Sequence, residues 1–221
     1  MNLRILSVNI ARARAIGTFD GETVISGIDK HPVAPDAVRV RALGIDGDEQ
    51  ADLTVHGGID KAVYAYPSEH WPWWENAQRI ACAPATFGEN LTLAGASEDE
   101  VAIGDRFRWG KSVLEISQPR APCYKLGLHT GRADAPALMT LSARCGWYCR
   151  VVEEGRAPSR DAALERVSQS GHASVRDVFR ALFGRDAGEA ALSRICEIPA
   201  LAESWRRPLA AKLGQIRARS H

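Results

Sequence analysis

Long apolar runs are missing from this 221-residue sequence: no stretch reaches the ~18 residues that a membrane-spanning helix requires. An excess of one charge is missing too. The 28 basic and 27 acidic residues leave a formal net charge of +1, so no global field recruits nucleic acid or a membrane surface. Lysine is scarce, five residues among those 28. No G-x-x-x-x-G-K-[ST] loop and no G-x-G-x-x-G fingerprint appears, which removes two common cradles for phosphate and dinucleotides. No set of four cysteines has the spacing of an iron–sulfur cluster or a zinc finger. Arg4, Arg12 and Arg14 interrupt the apolar residues of the first fifteen positions and break any secretory core. A cytoplasmic chain with reduced thiols is therefore expected.

What is present reads as one large domain with a small appendage: 45% hydrophobic and 25% charged residues can bury an ordinary core. The first two-thirds are β-rich. Leu3 to Ile10, Asp36 to Leu43 with its alternating valines and arginines, Ala62 to Tyr66, Val101 to Trp109 and Ser112 to Gln118 all read as short strands. Gly110-Lys111 forms a hairpin turn between the last two. Scarce helical crossovers favour a barrel or sandwich over a doubly wound sheet, with helices at Ser68 to Gln78 and Pro136 to Arg144.

After about Ser170 the period becomes helical. Val175, Val178, Phe179, Leu182 and Phe183 share one face behind a Ser174–Asp177 capping box, and Gly184 ends that helix. Asp186 and Glu189 can cap a second helix, which Pro199 stops. A third runs from Leu201 to Ile216 and is expected to kink or restart at Pro208. The division is thus 1–168 and a three-helix extension, 169–221. Five basic and no acidic residues follow Ser204. They read as a solvated helix face ahead of a docking patch for an acidic partner.

Three segments carry more chemistry than folding needs. In GDEQADLTVHGGIDK, His56 precedes Gly57-Gly58, whose bare backbone permits close approach, and Asp60-Lys61 follow. In FGENLTL, Glu89 and Asn90 stand at a strand start, able either to hold a heterocycle edge or to satisfy a turn. In SQPRAPCYK, Pro119 and Pro122 stiffen a loop that carries Cys123 between Arg120 and Lys125, and neighbouring cations favour a thiolate. The bland alternative is a buried packing cysteine. Cys82, Cys145, Cys149 and Cys196 read that way.

Taken together, GDEQADLTVHGG-DKAVYAYP, FGENLTL-G, IGDRFRWG and ISQPRAPCYKLG resemble the MOSC domain family, specifically its YiiM-type branch, over nearly the whole chain. The resemblance implies a mainly β fold with α, a distorted β-barrel with peripheral helices plus a small C-terminal three-helix segment. It implies binding of the molybdenum cofactor, with Cys123 as thiolate ligand to the metal. His56, Gly57, Gly58, Asp60 and Lys61 would line the approach, and Glu89 and Asn90 would meet the pterin edges. Ser117, Gln118 and Arg120 would surround the pocket, with Lys61, Arg120 and Lys125 available for the phosphate. The implied activity is reduction of N-hydroxylated purines, hydroxylamines and amidoximes, with Cys123 and His56 catalytic and His56 a proton donor. Electrons would come from a separate flavoprotein or iron–sulfur protein. The alternatives are a cofactor carrier or sulfur-handling module without turnover, and a thiol hydrolase with His56 as base.

Overall fold

A computed structural model describes residues 1–51, 57–184 and 186–219. The first half carries β1 (Asn2–Ile10), β2 (Arg14–Phe19), β3 (Glu22–Ser26), β4 (His31–Pro32), β5 (Ala37–Arg41) and β6 (Gly44–Ile45). A 3-10 turn at Ile59–Lys61 leads into β7 (Val63–Pro67), α1 (Trp71–Gln78) and β8 (Leu91–Ala94). Next come β9 (Arg106–Trp109), β10 (Ser112–Pro119), α2 (Tyr124–Thr130), α3 (Ala135–Ser142), β11 (Trp147–Glu153), β12 (Gly155–Pro158) and β13 (Ala162–Ser168). Three helices close the chain: α4 (Val175–Phe183), α5 (Glu189–Cys196) and α6 (Glu203–Arg219).

Seven strands form a ring in the order β1-β8-β7-β11-β10-β9-β13, with β13 pairing back onto β1. Closure leaves the ring without an edge. All pairings in it are antiparallel except β7–β8, whose connection is long enough to include α1. The alternation expected of β5 holds, with Val38 and Val40 buried and Arg39 and Arg41 exposed. The strand expected over 101–109 is shorter, Arg106–Trp109, because Ala102 makes an isolated bridge to Ser174 instead.

Every residue of β10 is buried. One face meets the barrel interior, and the C-terminal helices cover the other: Ala202 N donates to Ser117 O at 3.0 Å and Ser204 Oγ to Gln118 Oε1 at 2.9 Å. One cluster of buried side chains accordingly runs from Leu3 through Trp109 and Trp147 to Phe179, Trp205 and Leu213.

The expected Ser174–Asp177 box is present, with Asp177 N donating to Ser174 Oγ at 3.0 Å, and Gly184 terminates α4. Two expectations need correction. The N-cap of α5 is Gly188, with Glu189 in the first turn. α6 runs through Pro208, which lies little more than one turn into the helix and forgoes a single intrahelical bond. The basic residues after Ser204 are largely engaged within the chain. Arg206 donates to carbonyls at the end of α5, Lys212 to Ala181, Leu182 and Gly184 carbonyls at the end of α4, Arg207 pairs with Glu203, and Arg217 with Glu189. Cations placed on orphan C-terminal carbonyls complement the helix dipoles.

Candidate functional site

Tyr64 on β7 and Tyr148 on β11 are directly opposite in register, which brings their rings to 5.0 Å. The neighbouring strand β10 ends beside them. Its register slips at Ser117, a bulge whose hydroxyl shares its one proton between Asp60 O at 2.6 Å and Tyr148 O at 3.0 Å. Just past the bulge, Arg120 turns inward, its guanidinium 5.0 Å from the Tyr64 ring centroid. Arg120 is 5% exposed. Nη1 donates to Met139 Sδ at 3.3 Å, a weak acceptor, and among the described residues no carboxylate forms an ion pair with this cation. Burial pushes the Tyr148 phenol up even though Arg120 pulls the other way, so it keeps its proton at neutral pH.

These groups form the floor of an open cleft. Cys123, Ala121 and Lys125 line one side, and Lys61, Gly88 and Asn90 another. Cys123 is half-buried, its backbone extended (φ −133°, ψ 168°), and it is the N-cap of α2 rather than part of a long loop. The seven-residue Tyr124–Thr130 helix, with Gly127 inside it, is too short to announce itself by periodicity. A third wall comes from the N-terminal part of the chain: Ser26 to Ile28, Lys30 and Asp48 to Ala51. It fits closely against the rest. A Cβ on Gly27 would lie 2.1 Å from Glu49 O, and one on Gly88, whose φ is 76°, 2.5 Å from Ile28 Cγ1.

Lys30 and Asp48 form a buried ion pair in that wall, their side chains 7% and 3% exposed. Asp48 also accepts from Ala11 N at 2.9 Å and Asn90 Nδ2 at 2.9 Å. Among the described residues, cations outnumber carboxylates in the cleft lining: Lys30, Lys61, Arg120 and Lys125 against Asp48 and Glu49. Burial lowers the pKa of both Lys30 and Lys61, with Asp48 and Asp60 respectively pulling back. The arrangement suits an anion with an extended body.

The expected site residues divide sharply. Lys61, Asn90, Arg120, Cys123 and Lys125 line the cleft together. Asn90 is already committed: Oδ1 accepts from Tyr64 N at 3.0 Å, and Nδ2 donates to Asp48 and to Asn9 O. Glu89 is outside the lining and fully buried, its carboxylate accepting from Ala85 N, Phe87 N and Thr92 Oγ1. The turn before β8 and Thr92 engage both oxygens of this carboxylate, away from the cleft. Ser117 spends its hydroxyl in the bulge, and Gln118 reaches the C-terminal helices. Asp60 is paired with Arg150 at 2.8 Å, and Gly57 and Gly58 precede the 3-10 turn without lining the cleft. His56 lies outside the described residues. Local motifs missed Lys30, Asp48, Tyr64 and Tyr148. The scarcity of lysine offered one signal, since Lys30 is one of only five.

The profile described as "MOSC domain" matches residues 52–167, and the one described as "YiiM-like, 3-alpha helix domain" matches 174–214. The chain belongs to the MOSC domain family, in its YiiM-type branch. Within that family it is 41% identical over 203 residues to the uncharacterised protein YflK of Bacillus subtilis, covering 91% of this chain and 90% of that one. The solved structure of YiiM from Geobacillus stearothermophilus superposes with a TM-score of 0.80 at 33% identity, over 96% of this chain and 99% of the other. A Gibberella moniliformis protein named "Reductase" is 34% identical over 164 residues, 72% of this chain but 29% of its own length.

MOSC membership raises the question of a molybdenum cofactor, and the cleft's donor set fits one. Cys123 supplies a soft sulfur, and the lysines together with the buried Arg120 match a phosphate. Among the described residues no group of three or more His, Cys, Asp or Glu side chains is arranged to hold a metal ion. A metal bound at Cys123 would therefore draw its remaining ligands from beyond those side chains, as a dithiolene-bearing cofactor provides. The other cysteines differ. Cys145 and Cys149 are buried with thiols pushed well up by burial, and burial pushes Cys82 up to about 12.

Proposed function

We propose that the chain is a molybdenum cofactor-dependent oxidoreductase that removes oxygen from N-hydroxylated compounds, among them N-hydroxylated purines, hydroxylamines and amidoximes. The observation that carries the reading is Cys123 in one cleft with Lys61, Lys125 and the buried Arg120, in a chain of the MOSC family. The name of the Gibberella relative points the same way. In the balanced reaction the N–O bond breaks, two electrons and two protons enter, and the products are the amine or its analogue and water. The bound cofactor supplies a metal able to accept oxygen and change oxidation state.

This chain's own residues hold and surround that group. Cys123 Sγ is the metal ligand, and Lys61, Arg120 and Lys125 take its anionic part. Tyr64 and Tyr148 give Arg120 an aromatic floor that excludes water beneath it. Tyr148 Oη holds its proton at neutral pH, and His56 is the proposed proton donor. The electrons come from a separate flavoprotein or iron–sulfur protein.

The test is metal and pterin analysis of protein made in a host that synthesises the cofactor, followed by turnover of N-hydroxyadenine with a reduced dye. Wild-type protein is expected to hold molybdenum and to cleave the N–O bond. Cys123→Ala is expected to lower molybdenum content and turnover by more than about 100-fold, beyond the effect typical of residues one shell out. Retained molybdenum in Cys123→Ala would rule out the ligand assignment. A loaded wild-type protein that never cleaves the bond would be a carrier.

A further inference from the structure

The β2–β3 hairpin packs along α2, the helix that Cys123 opens. A Cβ on Gly17 would touch Leu128 Cδ2 at 3.9 Å, and Lys125 Nζ reaches the Ile25 carbonyl at 3.5 Å. At the outer end of the hairpin Phe19 pairs in register with Glu22. There the Phe19 ring meets that of Tyr124, with centroids 4.3 Å apart and planes 31° from parallel. The root of the same hairpin, Ser26 with Gly27 and Ile28, lines the cleft. One continuous rim therefore joins the cleft to this aromatic pair.

The pair is a poor packing contact. Phe19 is 52% exposed and Tyr124 41%, whereas Tyr64 and Tyr66 are buried with their hydroxyls on backbone carbonyls. A contact that served only to pin the hairpin would bury its rings, because removing apolar area from water is what stabilises it. Position in the chain adds a second observation. Tyr124 follows Cys123 directly, and successive Cα atoms lie about 3.8 Å apart. A fused ring held by one edge at Cys123 is longer than that step and has to extend over the rim. Phe19 and Tyr124 are outside the cleft lining, so they meet what protrudes from the cleft and not what fills it. Nor does this rim extend the cationic cleft. Asp20 and Glu22 beside Phe19 are exposed and form no ion pair among the described residues, which disfavours a phosphate and leaves room for an uncharged ring.

We propose that Phe19 and Tyr124 form a stacking platform for the planar heterocycle of the substrate, whose N-hydroxyl group reaches into the cleft beside them. The two rings then set a preference for ring-bearing substrates, purines first, over hydroxylamine itself. Exposed aromatic faces suit this task, since every base has a π-face to lay on them. This deepens the proposed function and rests on it for the reaction, but stacking of a ring on the pair needs no cofactor.

Two measurements on the full chain test it. In the first, adenine is titrated into protein free of cofactor and followed by proton NMR, where stacking moves the adenine H2 and H8 resonances upfield. Wild-type protein is expected to produce these shifts with an affinity that salt hardly changes, because no ion pair is involved. Phe19→Leu keeps the apolar bulk and removes the π-face. It is expected to weaken binding about tenfold, as the loss of one base–aromatic stack does, and Phe19→Trp to restore it. In the second, protein carrying the cofactor turns over N-hydroxyadenine and hydroxylamine with a reduced dye. The ratio of the two kcat/KM values is expected to fall about tenfold in Phe19→Leu, with the change carried by KM for N-hydroxyadenine.

Where Phe19→Leu fails to fold, Tyr124→Leu carries the same comparisons. Adenine shifts that are absent from wild-type protein, or equal in wild type and the variant, overturn the platform. So does an unchanged substrate ratio, or adenine binding that salt abolishes, which would put the base among the cations of the cleft. The two readings fail separately. Wild-type protein that holds molybdenum but cleaves neither substrate counts against the proposed function, while the adenine titration still decides whether the rings take a base.

Discussion

Two clusters of buried charge sit in this fold and are built to opposite ends. Around Glu98, at the junction of the barrel and the C-terminal helices, every strong group is matched. The carboxylate accepts from His70 Nε2 at 2.7 Å, Gly146 N at 2.6 Å and Arg176 Nη2 at 3.1 Å. Arg176 then gives its other donors to Asp99, Ser142 O and Ala143 O. Around Arg120, by contrast, cations outnumber carboxylates among the described residues, and the most buried of them rests on the Tyr64 ring and a thioether. Charge alone therefore does not mark a site. Unmatched charge beside a cleft does, because a self-sufficient network has nothing left to offer a ligand.

The contrast breaks most visibly at Glu98. Glu98→Ala strands His70 and Arg176 in the interior and is expected to cost about 3–5 kcal/mol, read by urea unfolding. A loss under 1 kcal/mol, roughly a surface effect, would mean the network is not a structural joint. Acid should attack the same joint. Burial opposes the Glu98 charge, but the hydrogen bond and charge of His70 and the Gly146 N–H outweigh it, so the folded pKa lies below the ordinary 4.5. The stabilisation is complete above that value and fades as pH falls through the lower folded one. Glu98→Gln should flatten this part of the stability–pH curve.

Ser174→Ala, which removes the α4 cap two residues before Arg176, is expected to cost about 1 kcal/mol by thermal unfolding. The smallest change in stability belongs to Arg120→Met. Among the described residues Arg120 has no carboxylate partner that its removal would strand, so stability should stay within about 1 kcal/mol of wild type while pterin content falls. If Arg120→Met unfolds as readily as Glu98→Ala, the two clusters are alike and the distinction fails.

Much of this was legible locally. Alternating valines and arginines placed β5, the Ser174–Asp177 box opened α4, and the stiff PRAPC segment carried Cys123 to the cleft. Glu89 and Gln118 were legible only as polar residues in the right segments. Which partners they chose depended on the Ala85–Phe87 turn and on α6. The five basic residues after Ser204 show the same limit, since a run of charge does not say which helix ends will accept it. The hairpin β2–β3, with Phe19 and Ile25 exposed, gave no apolar stripe to announce it.

By itself the sequence determined where α4 begins and ends and which face of β5 is apolar, and it set Cys123 apart as the candidate among five cysteines. Those properties are set by neighbours a few residues apart. Only the tertiary structure decided that Lys30 meets Asp48, that Asp48 meets Asn90, and that Tyr64 and Tyr148 share one face beneath Arg120. These partners come together through ring closure and strand register, and no local periodicity encodes which distant strand will lie alongside.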